Sequence, residues 1–79
     1  MDVKETVLRF LREKTGSGEL TEETELLKSG LVNSLFALEV VVFVEQTFGV
    51  KLKRGDITPA NFDSAAHIAA LVARLRGEG

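Results

Sequence analysis

The chain has no cysteine, which excludes disulfides, thiolate zinc sites, iron–sulfur clusters and a cysteine nucleophile together, and fits a reducing compartment. At 79 residues a single apolar core is small, and domains of this size are held by a metal, a disulfide or close helix packing. Close helix packing is the expectation here. The sequence also lacks internal repeats and low-complexity tracts. Its opening stretch, Met1 to Lys14, alternates charged and apolar residues, so it reads neither as a signal peptide nor as a membrane span. A basic stripe is missing as well: residues 19–49 set six acids against Lys28, a net charge of −5. Nucleic acid would want the opposite sign there, whereas a basic protein surface would suit it. With 44% hydrophobic and 28% charged residues, the composition is globular rather than disordered. One soluble, cytoplasmic, monomeric domain over residues 1–79 is therefore expected.

Glycine and the single proline divide the chain into helical segments. The first runs from an Asp2 cap to Lys14, with Val3, Val7, Leu8, Phe10 and Leu11 at spacings of three and four and Gly16 just beyond. A long acidic loop follows, in which Leu20, Leu26, Leu27 and Leu31 are expected to pin the backbone to the core. The second helix is expected from Ser34 to Phe48, with Gly49 as its stop. Its Val40-Val41-Val42-Phe43-Val44 run has strand propensity. Length decides for a helix, because strands typically span about five or six residues. Thr58 to Phe62 reads as a short third helix, with Thr58 as cap and Pro59 at its first position. The last helix starts at Asp63 or Ser64 and runs to Arg76, burying Ile68, Leu71, Val72 and Leu75. The fold class that results is all-α: a small four-helix bundle, three main helices plus the short one, with a long loop between helices 1 and 2.

On a wheel of about 100° per residue, Ala37, Val40, Val41, Val44 and Phe48 form the buried stripe of the second helix. Leu35 and Val42 project almost opposite, beside Glu39 and Gln46, while Phe36, Leu38 and Phe43 stand on the shoulders. Apolar residues rimmed by acids point to a surface that another protein touches, unless the loop and short helix cover them.

Catalytic chemistry has few candidates. His67, the only histidine, has Asp63 four residues before it as its one acid at helical spacing, and a solvent-facing or capping role accounts for it. A serine hydrolase would need an oxyanion hole and a cleft that this length hardly supplies. Glu22, Glu23 and Glu25 lack the spacing and turn glycine of a calcium loop. Of the serines Ser17, Ser29, Ser34 and Ser64, only Ser34 heads a helix whose outward face is both apolar and acidic. Spacing alone leaves it as a helix cap or as a chemical site.

The run Leu26-Leu27-Lys28-Ser29-Gly30-Leu31-Val32-Asn33-Ser34-Leu35, followed by Glu39, Glu45 and Phe48-Gly49, resembles the attachment region of acyl carrier proteins, and the likeness extends over nearly the whole chain. The resemblance implies that the Ser34 hydroxyl is esterified by 4′-phosphopantetheine from coenzyme A, that a phosphopantetheinyl transferase installs it, and that its thiol carries acyl groups as thioesters. It further implies that Leu35, Glu39, Val42, Glu45 and Gln46 dock acyl-loading, modifying and condensing enzymes of ketosynthase, acyltransferase or dehydrogenase type, the chain itself catalysing nothing. The family's usual Asp before the serine is Asn33 here, one charge fewer beside the site. Phe36, Phe43 and only two glutamates in the second helix, with the later Pro59-Ala60-Asn61-Phe62-Asp63-Ser64, look more like free-standing carriers of polyketide and related pathways than the housekeeping fatty-acid type. Some of those hold hydroxymalonyl or methoxymalonyl extender units. The competing reading is a helical interaction module that uses the same face and is never modified.

Overall fold

The computed structural model describes residues 2–26 and 34–77, the side chain of Ser34 excepted. Among these residues it holds three α-helices, α1 (Val3–Thr15), α2 (Ser34–Phe48) and α3 (Ala65–Leu75), with one 3-10 turn at Arg54–Asp56.

Each helix ends where its local chemistry dictates. Asp2 is extended and its carboxylate accepts the Glu5 N–H at 3.2 Å, satisfying one of the free donors that open α1. At the other end Gly16 turns left-handed at φ 72° and its N–H reaches the Arg12 carbonyl, a closure that a side chain would disfavour. Gly49, at φ 67°, closes α2 in the same way by donating to the Glu45 carbonyl. The five β-branched and aromatic residues Val40 to Val44 are helical, because burying Val40, Val41 and Val44 together outweighs their local preference for a strand. Ser64 caps α3 through its hydroxyl, which accepts the His67 N–H at 3.2 Å.

The core joins Val7 and Leu11 of α1, Val40 and Val44 of α2, and Ile68, Leu71 and Val72 of α3. Ala37 and Phe48, expected in the α2 stripe, are only half-buried. Leu20 and Leu26 are buried, as expected of loop leucines; Leu27 and Leu31 lie outside the described residues. The loop is also fixed through its backbone. Arg12 Nε donates to the Leu20 carbonyl at 2.8 Å, Leu26 N donates to the Asp63 carbonyl at 2.7 Å, and Ala66 N donates to the Glu22 carbonyl at 3.0 Å. Lys4 pairs with the Glu22 carboxylate at 3.3 Å. Glu22 thus ties α1 to the first turn of α3.

The short third helix expected at Thr58 to Phe62 is a single turn and not an α-helix. Its bonds are those of a turn starting, with Asn61 N and Phe62 N donating to the Thr58 carbonyl and Asn61 N also reaching the Thr58 hydroxyl. It cannot propagate, because Ser64 is extended at φ −154° to cap α3 and the Asp63 carbonyl is taken by Leu26. Phe62 is buried, so the segment still contributes to the core. The 3-10 turn was not anticipated. It forms because Asp56 reaches back to accept the Lys53 N–H at 2.9 Å, and Asn61 braces it by donating to the Asp56 carbonyl while accepting from Arg74. Among the described residues no helix is long and apolar enough to cross a membrane.

Candidate functional site

Ser34 is the first residue of α2. The N–H groups of a first helical turn have no partner within the helix and carry the positive end of its dipole. The first turn of α2 holds no acidic residue; Leu35, Phe36 and Ala37 follow, and the nearest acid along the helix is Glu39. A hydroxyl placed there can accept an anionic substituent with no carboxylate of the same turn to repel it.

Leu35, Glu39, Val42 and Gln46, spaced by four, three and four residues, share one stripe, and all four are exposed, Leu35 by 68% and Val42 by 49%. Leu38, placed on a shoulder by the wheel, is exposed by 60%, whereas Phe36 and Phe43 are half-buried against the core. Glu45 differs from the other expected docking residues. It is half-buried, and its Oε2 accepts the Leu52 N–H at 2.9 Å, so its carboxylate holds the chain that leaves α2.

The exposed stripe borders an open depression of about 440 Å³, lined by Phe10 and Lys14 of α1 and by Leu38, Glu39, Val42, Phe43 and Gln46 of α2. The Phe10 and Phe43 rings stack at 3.9 Å between centroids and 12° between planes, and Phe48 meets Phe43 edge-on at 6.1 Å. Lys14 Nζ lies 5.9 Å from the Phe10 centroid. The part played by α1 escaped the sequence reading, although Phe10 and Lys14 are four residues apart on one helix face and a groove beside a second helix could have been sought there.

The other candidates are occupied differently. Ser64 is buried and its hydroxyl serves as a cap. His67 is exposed, with Nδ1 4.0 Å from Asp63 Oδ2. Glu22 is paired with Lys4. Among the described residues no three histidine or carboxylate groups converge as a metal site would require. Ser29 and Asn33 lie outside the described residues.

Two curated relatives match the chain. Lincomycin biosynthesis protein LmbN of Streptomyces lincolnensis is 40% identical over 81 residues, which take in 99% of this chain and 29% of LmbN. D-alanyl carrier protein of Enterococcus faecalis (strain ATCC 700802 / V583) is 31% identical over 58 residues, 71% of this chain and 74% of that protein. The chain therefore spans less than a third of the length of LmbN and about three-quarters of the D-alanyl carrier protein. No family model matches it.

Proposed function

The chain belongs to the carrier-protein family, and on that premise we propose that it is an acyl carrier whose Ser34 hydroxyl bears 4′-phosphopantetheine transferred from coenzyme A. The observation that carries this reading is the position of Ser34 at the head of α2, in a first turn without a carboxylate, beside the exposed stripe of Leu35, Glu39, Val42 and Gln46. When attached, 4′-phosphopantetheine supplies a thiol, the one functional group for thioester formation that a chain without cysteine cannot provide. The backbone N–H groups of the first turn of α2 favour the phosphodiester charge. Leu35 and Val42 offer apolar contact to a partner, and Glu39 faces a partner cation.

Exposed ion pairs are weak, each about 0.2–1 kcal/mol, so docking is brief and sensitive to salt. Brevity suits a shuttle, because a tethered substrate reaches a high effective concentration at each enzyme in turn. We place the carrier in the cytoplasm, with the transferase and with enzymes that load, modify or condense the cargo. A natural-product setting is favoured over housekeeping fatty-acid synthesis by the 40% identical relative named for lincomycin biosynthesis, and the sequence of α2 favours the polyketide type. The 31% identical relative is named for D-alanine, so cargo trials include an aminoacyl group beside small malonyl-type units.

Intact-mass measurement after incubation with coenzyme A and a phosphopantetheinyl transferase tests the reading. Wild type gains one phosphopantetheine and Ser34→Ala gains none. Addition to the alanine variant, or to Ser64, overturns the site; no addition to wild type leaves the unmodified interaction module. Asn33→Asp restores the charge the family usually has there and is expected to raise the rate of addition.

A further inference from the structure

The depression between α1 and α2 has an apolar floor with charges of opposite sign on its rims. Phe10, Phe43, Leu38 and Val42 supply the apolar surface, Glu39 stands on one side and Lys14 on the other. Neither charge has an ion pair among the described residues; the contact shown for Lys14 is the Phe10 ring. The groove also lies on the first turns of the helix that Ser34 opens. At 1.5 Å per residue, Leu38 and Val42 are about 6 and 12 Å along the axis from Ser34. A protein interface of ordinary size covers about 800 Å² of each partner, a disc of roughly 16 Å radius. An enzyme whose active site reaches Ser34 along this face therefore covers the groove.

We propose that the α1–α2 groove is a docking seat for the phosphopantetheinyl transferase that modifies Ser34, and that α1 takes part in its recognition through Phe10 and Lys14. The inference rests on Ser34 being the modified residue. The matching enzyme surface carries one apolar side chain that enters between Leu38 and Val42, a Lys or Arg facing Glu39, and an Asp or Glu facing Lys14. Opposite charges on the two rims fix the direction in which such a surface can lie, which a uniformly acidic helix would not do.

The test uses the full chain, coenzyme A and one purified transferase shown to load wild type, with initial rates read by intact mass at low salt. Lys14→Glu is expected to raise KM about five-fold with kcat unchanged, the size of one exposed pair lost at the upper end of its range. Leu38→Ser is expected to raise KM as well, and since Leu38 is largely exposed its loss leaves the fold intact. Arg9→Glu makes the same change of charge on the same helix at an exposed residue outside the groove and is expected to leave KM where it was. Equal effects of Lys14→Glu and Arg9→Glu, or none from either while Ser34 is still loaded, overturn the inference. A wild-type dimer in solution that Lys14→Glu dissociates also overturns it, since a second copy would then fill the groove. Failure to load Ser34 with every transferase tried defeats the function proposed above, and this inference with it.

Discussion

Glu39 and Glu45 are alike in sequence context, both resembling docking acids, but the fold separates their roles. Glu39 is exposed, whereas Glu45 is half-buried and accepts the Leu52 N–H at 2.9 Å. A hydrogen bond to a charged group contributes about 1.5–3 kcal/mol. Water competes at a half-exposed site, and alanine recovers a few tenths in helix propensity, so Glu45→Ala should cost about 1 kcal/mol. Glu39→Ala, with no hydrogen bond to lose among the described residues, should change stability by less than about 0.5 kcal/mol. Urea unfolding resolves the difference. The chain has neither tryptophan nor tyrosine, which makes helical circular dichroism the practical probe. A domain this small has an m-value near 1 kcal/mol/M, so the midpoint should fall by about 1 M for Glu45→Ala and stay in place for Glu39→Ala. Glu45→Gln, which keeps an acceptor oxygen, should fall between them. In the transferase assay the order should reverse, with Glu39→Ala raising KM more than Glu45→Gln. An unchanged midpoint for Glu45→Ala, together with a KM as high as that of Glu39→Ala, would refute the reasoning and return Glu45 to the docking face.

Other consequences concern the loop and the helix ends. Leu26 is fully buried, so Leu26→Ala should destabilise the domain by about 2–5 kcal/mol, much of the roughly 4–12 kcal/mol that a chain of this length holds; a loss below about 1 kcal/mol in urea would show that the loop is not part of the core. Gly49 has φ 67° with open space where a Cβ would stand, so Gly49→Ala should cost about 1–2 kcal/mol from the backbone alone. Gly55 has no positive φ, and Gly55→Ala should be neutral or slightly stabilising; equal costs at the two positions would contradict the left-handed closure of α2.

What could be read from the residues was whatever depends on near neighbours in the chain. Asp2, Gly16, Gly49 and Ser64 mark helix ends because capping and left-handed closure act within a few residues, and the observed bounds agree with them, Ser34 being the first helical residue of α2. The outward stripe of α2 was also legible, since 100° per residue needs no knowledge of a partner helix. The short helix at Thr58 to Phe62 misled, because its residues suit a helix start and only the demands of the α3 cap and of Leu26 on its far side halt it after one turn. Separating Glu39 from Glu45 needed the path of the chain beyond Gly49, which brings the Leu52 N–H under one carboxylate and leaves the other in water. The groove itself belongs to no single helix. Local periodicity determined which face of α2 turns outward, but only packing α1 beside it, with Phe10 stacked on Phe43, decided that this face has a floor and two charged rims.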